Sequence, residues 1–215
     1  MNKSIFASII MVFFIQIVSA QHKWQDPLDF GSVEIIDKYS LLYNLGGVVL
    51  SGVFGKHKDY KVYWATAFYA EYQQEYDPHN STTDVFMGKF RFGRQLHRWL
   101  QIGAEAQLMK LKNAETSSEG LGGAVYFSWY FINTGSFRVY FDNGFGVVST
   151  TKNFPKGGTS FNFTSFYGLS ADFKLQPDTF MKIGVRNMHL SNAYLFGEDR
   201  NPAFDSIGFH IGFEL

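Results

Sequence analysis

The chain has 215 residues, and its 19 Lys and Arg balance 19 Asp and Glu, so no charge excess points to a polyanion such as nucleic acid as a partner. It has no cysteine, which excludes a disulfide-stapled secreted domain, and its 24 Phe, 12 Tyr and 21 Gly against 5 Pro favour strands over helices.

Residues 1–20 carry Lys3 in a short basic start, an apolar run from Ile5 to Val18, and Ser19-Ala20 ahead of Gln21. That is the pattern of a secretory signal peptide, so the mature protein is expected to begin near Gln21 and to leave the cytoplasm. An exported chain of this size without cysteine suggests a bacterial envelope protein. Past residue 20 no apolar run is long enough for a membrane-spanning helix. Residues 21–58 read as an N-terminal extension, periplasmic or part of the first strand; Val33–Ile36 and Gly46–Phe54 leave open two further strands and a barrel of ten.

Residues 59–215 read as the barrel proper. From about Tyr60 they divide into eight segments of 10 to 17 residues that alternate one apolar with one polar or small residue. The third sets Leu100, Ile102, Ala104, Ala106 and Leu108 against Gln101, Gly103, Glu105 and Gln107. The fifth sets Phe137, Val139, Phe141, Phe145 and Val147 against Arg138, Tyr140, Asp142, Gly144 and Gly146. In the eighth, Ile207, Phe209, Ile211, Phe213 and Leu215 oppose Ser206, Gly208, His210, Gly212 and Glu214.

A soluble sandwich buries its apolar face, whereas a transmembrane barrel turns that face to lipid. The opposite face decides between them. It mixes glycines with Lys89, Arg91, Glu105, Arg138, Asp142, Asp172, Lys182 and Arg186, which suits the crowded interior of a narrow barrel. Connections alternate in length, long at 74–83, 113–119, 151–158 and 192–202 and short at 95–98, 133–136 and 176–178, as outer-membrane barrels require. The expected fold is all-β, an eight-stranded antiparallel transmembrane β-barrel in the bacterial outer membrane. Its lumen is filled by side chains, which disfavours a pore.

The seventh segment runs Met181, Ile183, Val185, Asn187, His189, Ser191 on its lipid-facing side, and the lipid row of the eighth continues back to Asp205. A carboxylate, an imidazole and a hydroxyl sharing one face of neighbouring strands are the parts of an activated serine: His189 as base, Ser191 as nucleophile, Asp205 fixing the tautomer. Because His189 and Ser191 stand two apart on one strand, their contact calls for a bend or bulge there. The competing reading is a non-enzymatic barrel for adhesion, anchoring or packing, in which these are ordinary headgroup-level polar residues.

The stretch RNMHLSNAYLFGEDRNPAFD resembles the signature of the PagL-type lipid A 3-O-deacylases, where a strand-seven His-x-Ser-Asn is followed after a loop by Asn-x-Gly-x-Glu. The resemblance implies an eight-stranded outer-membrane esterase without metal or cofactor, acting on lipid A or a related outer-leaflet lipid. Residue by residue it gives His189 as base, Ser191 as nucleophile and Asp205 as the acid. It puts Asn192 and Asn201 on the substrate or oxyanion side, and Arg186 stands in its place three residues ahead of His189. The chain departs from the pattern with Asp205 for Glu and Ala203 for Gly, and with a longer loop between Asn192 and Asn201. Neither residues nor resemblance distinguish a single barrel from a homodimer. Among the other histidines, His57, His79 and His97 read as solvated loop or turn residues rather than metal ligands, and His210 as an interior hydrogen-bond partner near Glu214. Tyr126, Trp129 and Tyr130 read as packing or belt aromatics.

Overall fold

The computed structural model describes residues 63–76, 82–193, 202 and 204–215. The signal-peptide pattern of residues 1–20, the extension of residues 21–58, and His57 and His79 lie outside them. The described chain forms β1 (Tyr63–Glu75), β2 (Asp84–His97), β3 (Leu100–Lys112), β4 (Ser117–Asn133), β5 (Phe137–Thr150), β6 (Phe161–Gln176), β7 (Thr179–Ser191) and β8 (Phe204–Glu214). Each strand pairs antiparallel with the next, and β1 pairs with β8 from Ala67↔Glu214 to Glu75↔Ser206, so the barrel closes on eight strands, not ten. In hydrocarbon an unpaired strand edge costs several kcal/mol for each open amide or carbonyl, and closure removes the edge.

The alternation sorts as expected. Phe68, Phe86, Leu108, Leu121, Val185 and Phe209 are exposed on the outer wall, while Glu71, Lys89, Arg91, Glu105, Arg138, Asp142, Asp172, Lys182, Arg186 and Glu214 are buried in the lumen. Those interior charges neutralise one another across the barrel. Arg91 Nη1 lies 2.8 Å from Asp142 and Arg186 Nη1 lies 3.1 Å from Glu105, while Lys89 pairs with Glu71. Nearer the periplasmic end, Arg138 and Lys182 each bridge Asp172 and Glu214 at 2.7 to 2.8 Å. Interior glycines let the wall close tightly: a Cβ on Gly208 would stand 1.9 Å from the Tyr72 carbonyl oxygen, and one on Gly146 would stand 2.1 Å from that of Gly123.

Three details differ from the sequence reading. The third connection shrinks to residues 113–116, because Asn113 Oδ1 accepts from the amides of Glu115 and Thr116 at 3.0 and 2.8 Å and closes the hairpin early. A register shift between Gln95 and His97 buries Leu100, which alternation had turned to lipid. His97 at that shift is also buried, its ring 5.2 Å from that of Trp99, rather than solvated. Tyr126 and Tyr130 are buried interior residues, and Trp129 stacks on Trp99 at 5.7 Å.

The lumen charges yield a prediction. Glu105 takes Arg91, Arg186 and Gln107, so Glu105→Ala leaves two buried guanidiniums short of a counter-charge. Urea unfolding in lipid vesicles should show a loss of about 3–5 kcal/mol, the usual penalty for breaking a buried ion pair from one side.

Candidate active site on the outer wall

On β7 the inward positions Lys182, Arg186, Met188 and Leu190 are buried, and the intervening Ile183, Val185, Asn187, His189 and Ser191 form the outward row. That row changes from apolar to polar at Asn187, as the strand nears its outer end. On β8 the outward row is Asp205, Ile207, Phe209, Ile211 and Phe213. The β7–β8 register sets His189 directly opposite Asp205.

Direct opposition brings the imidazole and carboxylate together: His189 Nδ1 lies 2.9 Å from Asp205 Oδ1. The shorter acid spans the gap because no diagonal offset separates the residues. The side chains are 15% and 23% exposed, so the pair is sheltered yet reachable from outside the barrel. A carboxylate accepting from Nδ1–H fixes the tautomer in which Nε2 carries a lone pair aimed elsewhere.

Ser191 is the last residue of β7 and lies on the same face, half-buried and opposite Phe163 of β6. Pairing of β7 is regular through Leu190↔Phe204 on one side and Ser191↔Phe163 on the other, so the expected bulge between His189 and Ser191 is absent. No hydrogen bond joins the Ser191 hydroxyl to His189. The chain breaks from strand geometry just afterwards, at Ala193, whose φ is 52°.

Asn192 turns inward. Its side chain is buried and Nδ2 lies 3.4 Å from Thr159 Oγ1, anchoring the β5–β6 connection instead of facing lipid. Arg186 belongs to the lumen network. Asn201 lies outside the described residues.

A second serine, histidine and acid converge inside the barrel. His210 Nε2 is 3.3 Å from Ser170 Oγ and Nδ1 is 3.6 Å from Glu71, so its partners are these and not Glu214. His210 and Glu71 side chains are 1% and 0% exposed, and Glu71 is already bound to Lys89 and Gln73, which leaves this set sealed from any substrate. Among the described residues no group of three or more His, Asp or Glu could hold a metal.

Three neighbours of the outer pair were not singled out by the sequence reading. Ser165 of β6 stands directly opposite His189. Asn187, two residues before His189, donates to the Tyr76 hydroxyl at 3.2 Å, and the Tyr76 amide donates to the Asp205 carbonyl at 3.2 Å. Ser165 and Asn187 break otherwise apolar or aromatic outward rows, the same signal that marked His189; the reach of Tyr76 across 111 residues of sequence leaves no such trace.

The model of the lipid A 3-O-deacylase (PagL) family matches residues 84–214, more than half of the chain. The chain belongs to this family. It is accordingly an outer-membrane barrel enzyme, an ester hydrolase of the lipid A deacylase type. The barrel is also similar to two solved structures, and at these identities the likeness speaks to the fold. Neisserial surface protein A (NspA) shares 11% identity with a TM-score of 0.56, over 73% of this chain and 99% of that one. The outer-membrane enzyme PagL shares 18% identity with a TM-score of 0.52, over 69% of this chain and 97% of that one. No curated protein sequence matches the chain.

The His189–Asp205 contact predicts a tautomer. Nitrogen NMR of histidine-labelled barrel in micelles should show neutral His189 carrying its proton on Nδ1, and Asp205→Ala should return it to the Nε2–H form favoured by free imidazole; an unchanged spectrum would mean the contact does not hold the ring.

Proposed function

We propose that the chain removes an ester-linked acyl chain from lipid A, or a closely related outer-leaflet lipid, using Ser191, His189 and Asp205 on the lipid-facing wall of β7 and β8. The observation that carries this reading is the outward His189–Asp205 hydrogen bond at 2.9 Å, with Ser191 next along the same row. A lipid in the bilayer lies against that wall, so its ester reaches the pair without entering the barrel. One barrel carries all three residues, so the chemistry needs no second copy.

The steps follow from the groups present. As Ser191 Oγ bonds to the ester carbonyl carbon, its proton passes to His189 Nε2, and Asp205 stabilises the imidazolium. Backbone N–H groups of the turn after Ser191 are the donors proposed for the tetrahedral oxyanion. The ester C–O bond then breaks and the His189 proton goes to the departing sugar oxygen. Water adds to the acyl-serine with His189 taking its proton, and the free acid and Ser191 are released. The open Ser191–His189 contact suits an unliganded site, since catalytic hydrogen bonds of this kind often tighten only with substrate bound. Asn201, matched to the same signature, is proposed on the substrate side.

Expression in the outer membrane of a Gram-negative host, followed by mass analysis of extracted lipid A, tests the reading. The unmodified protein should remove one acyl chain and Ser191→Ala should remove none. Unchanged lipid A from a folded, unmodified barrel would sink the lipid A assignment. In a purified assay, Ser191→Ala or His189→Ala should lower the rate by roughly four to six orders of magnitude, and Asp205→Asn by about four.

A further inference from the structure

Tyr76 stands just past the end of β1, and two contacts fix where its side chain goes. Its amide donates to the Asp205 carbonyl at 3.2 Å, which sets Tyr76 beside Asp205 in the cross-strand row that continues to His189. Its hydroxyl accepts from Asn187 Nδ2 at 3.2 Å, and Asn187 lies on β7, opposite Ile207. A side chain rooted on the β1 side of β8 therefore ends on the β7 side. Strands lie about 4.8 Å apart, so the phenol reaches across β8 on the lipid-facing surface, between the levels of Asp205 and Ile207.

A tyrosine at this level would ordinarily point its hydroxyl toward the headgroups. This one is instead tied to the Asn187 amide, which holds its ring along the lipid-facing row. The other flank of the pair is built differently. Opposite His189, β6 presents Ser165, a small side chain between the aromatic Phe163 and Tyr167.

Resting on the esterase reading above, we propose that Tyr76 is a specificity-determining residue. Laid across β8, it closes the Asp205 side of the catalytic pair and directs the acyl chain of the substrate toward β6, over the buried Ser165. A straight acyl chain fits that path. A chain carrying a second alkyl branch next to its carbonyl needs room on both sides and is turned away. Tyr76 precedes the stretch matched by the family model, so this restriction is assigned from contacts in this chain alone.

The test uses the full-length barrel in detergent micelles with p-nitrophenyl decanoate and its isomer branched at the carbon next to the carbonyl. Comparing variants by the ratio of kcat/KM for the two esters cancels their intrinsic reactivity. Tyr76→Ala should lower the straight-to-branched ratio by about tenfold, within the range a pocket wall contributes to discrimination, mainly by raising kcat/KM for the branched ester. Asn187→Ala, which frees the ring without removing it, should move the ratio in the same direction and carries the test should Tyr76→Ala not fold. A ratio unchanged in folded variants, or an equal loss on both esters, would overturn the proposal. Absence of any Ser191-dependent hydrolysis by the unmodified protein would instead overturn the esterase reading on which it rests.

Discussion

A bilayer offers no hydrogen bonds to a backbone, and the rest of this molecule follows from that. The strands must pair all the way round, so β1 meets β8 and no edge remains. Eight strands enclose a lumen just wide enough for side chains. The interior is therefore occupied by Arg91, Arg138, Lys182, Arg186 and their carboxylates, whose charges offset one another. With the inside taken up by structure, any site for a lipid has to be on the outer wall, and there the polar row of β7 meets the acid of β8.

The two serine–histidine–acid groupings make the same point by contrast. Distances alone do not separate them: Ser170, His210 and Glu71 approach within 3.3 to 3.6 Å, and the His189–Asp205 contact is 2.9 Å. Surroundings do. The inner histidine is walled in by cations and by the Tyr69 ring, 5.4 Å away, with no route for a substrate, whereas the outer pair opens onto the medium in which lipid chains lie. The barrel positions the outer pair through register rather than through loops, since one cross-strand row places His189 between Ser165 and Asp205.

Much of this was legible in the sequence because period-two alternation is a direct imprint of which face meets lipid. Strand number, the inward charges, and His189, Ser191 and Asp205 on one outward face all follow from counting by twos. What counting does not supply is pairing across the barrel. Arg186 meets Glu105 from 81 residues away, His210 meets Ser170 rather than the nearby Glu214, and Tyr76 reaches Asn187, all through a register that only closure sets. Local departures were equally hidden, namely the Asn113 turn that shortens a connection and the shift that buries Leu100, whereas the inward side of Asn192 is the one alternation gives after outward Ser191 and departs only from the signature match. A bulge between His189 and Ser191 is needed only where their side chains already meet; here the strand stays regular and the break comes at Ala193.

In the proposed reaction the outward His189–Asp205 pair activates Ser191. The measurement that tests it most directly is labelling of the folded barrel with a lipid-tailed fluorophosphonate, which reacts with an activated serine, followed by peptide mass mapping. An adduct is expected on the peptide containing Ser191, abolished by His189→Ala and unaffected by Ser170→Ala. An adduct elsewhere, or one on Ser191 that persists without His189, would contradict it.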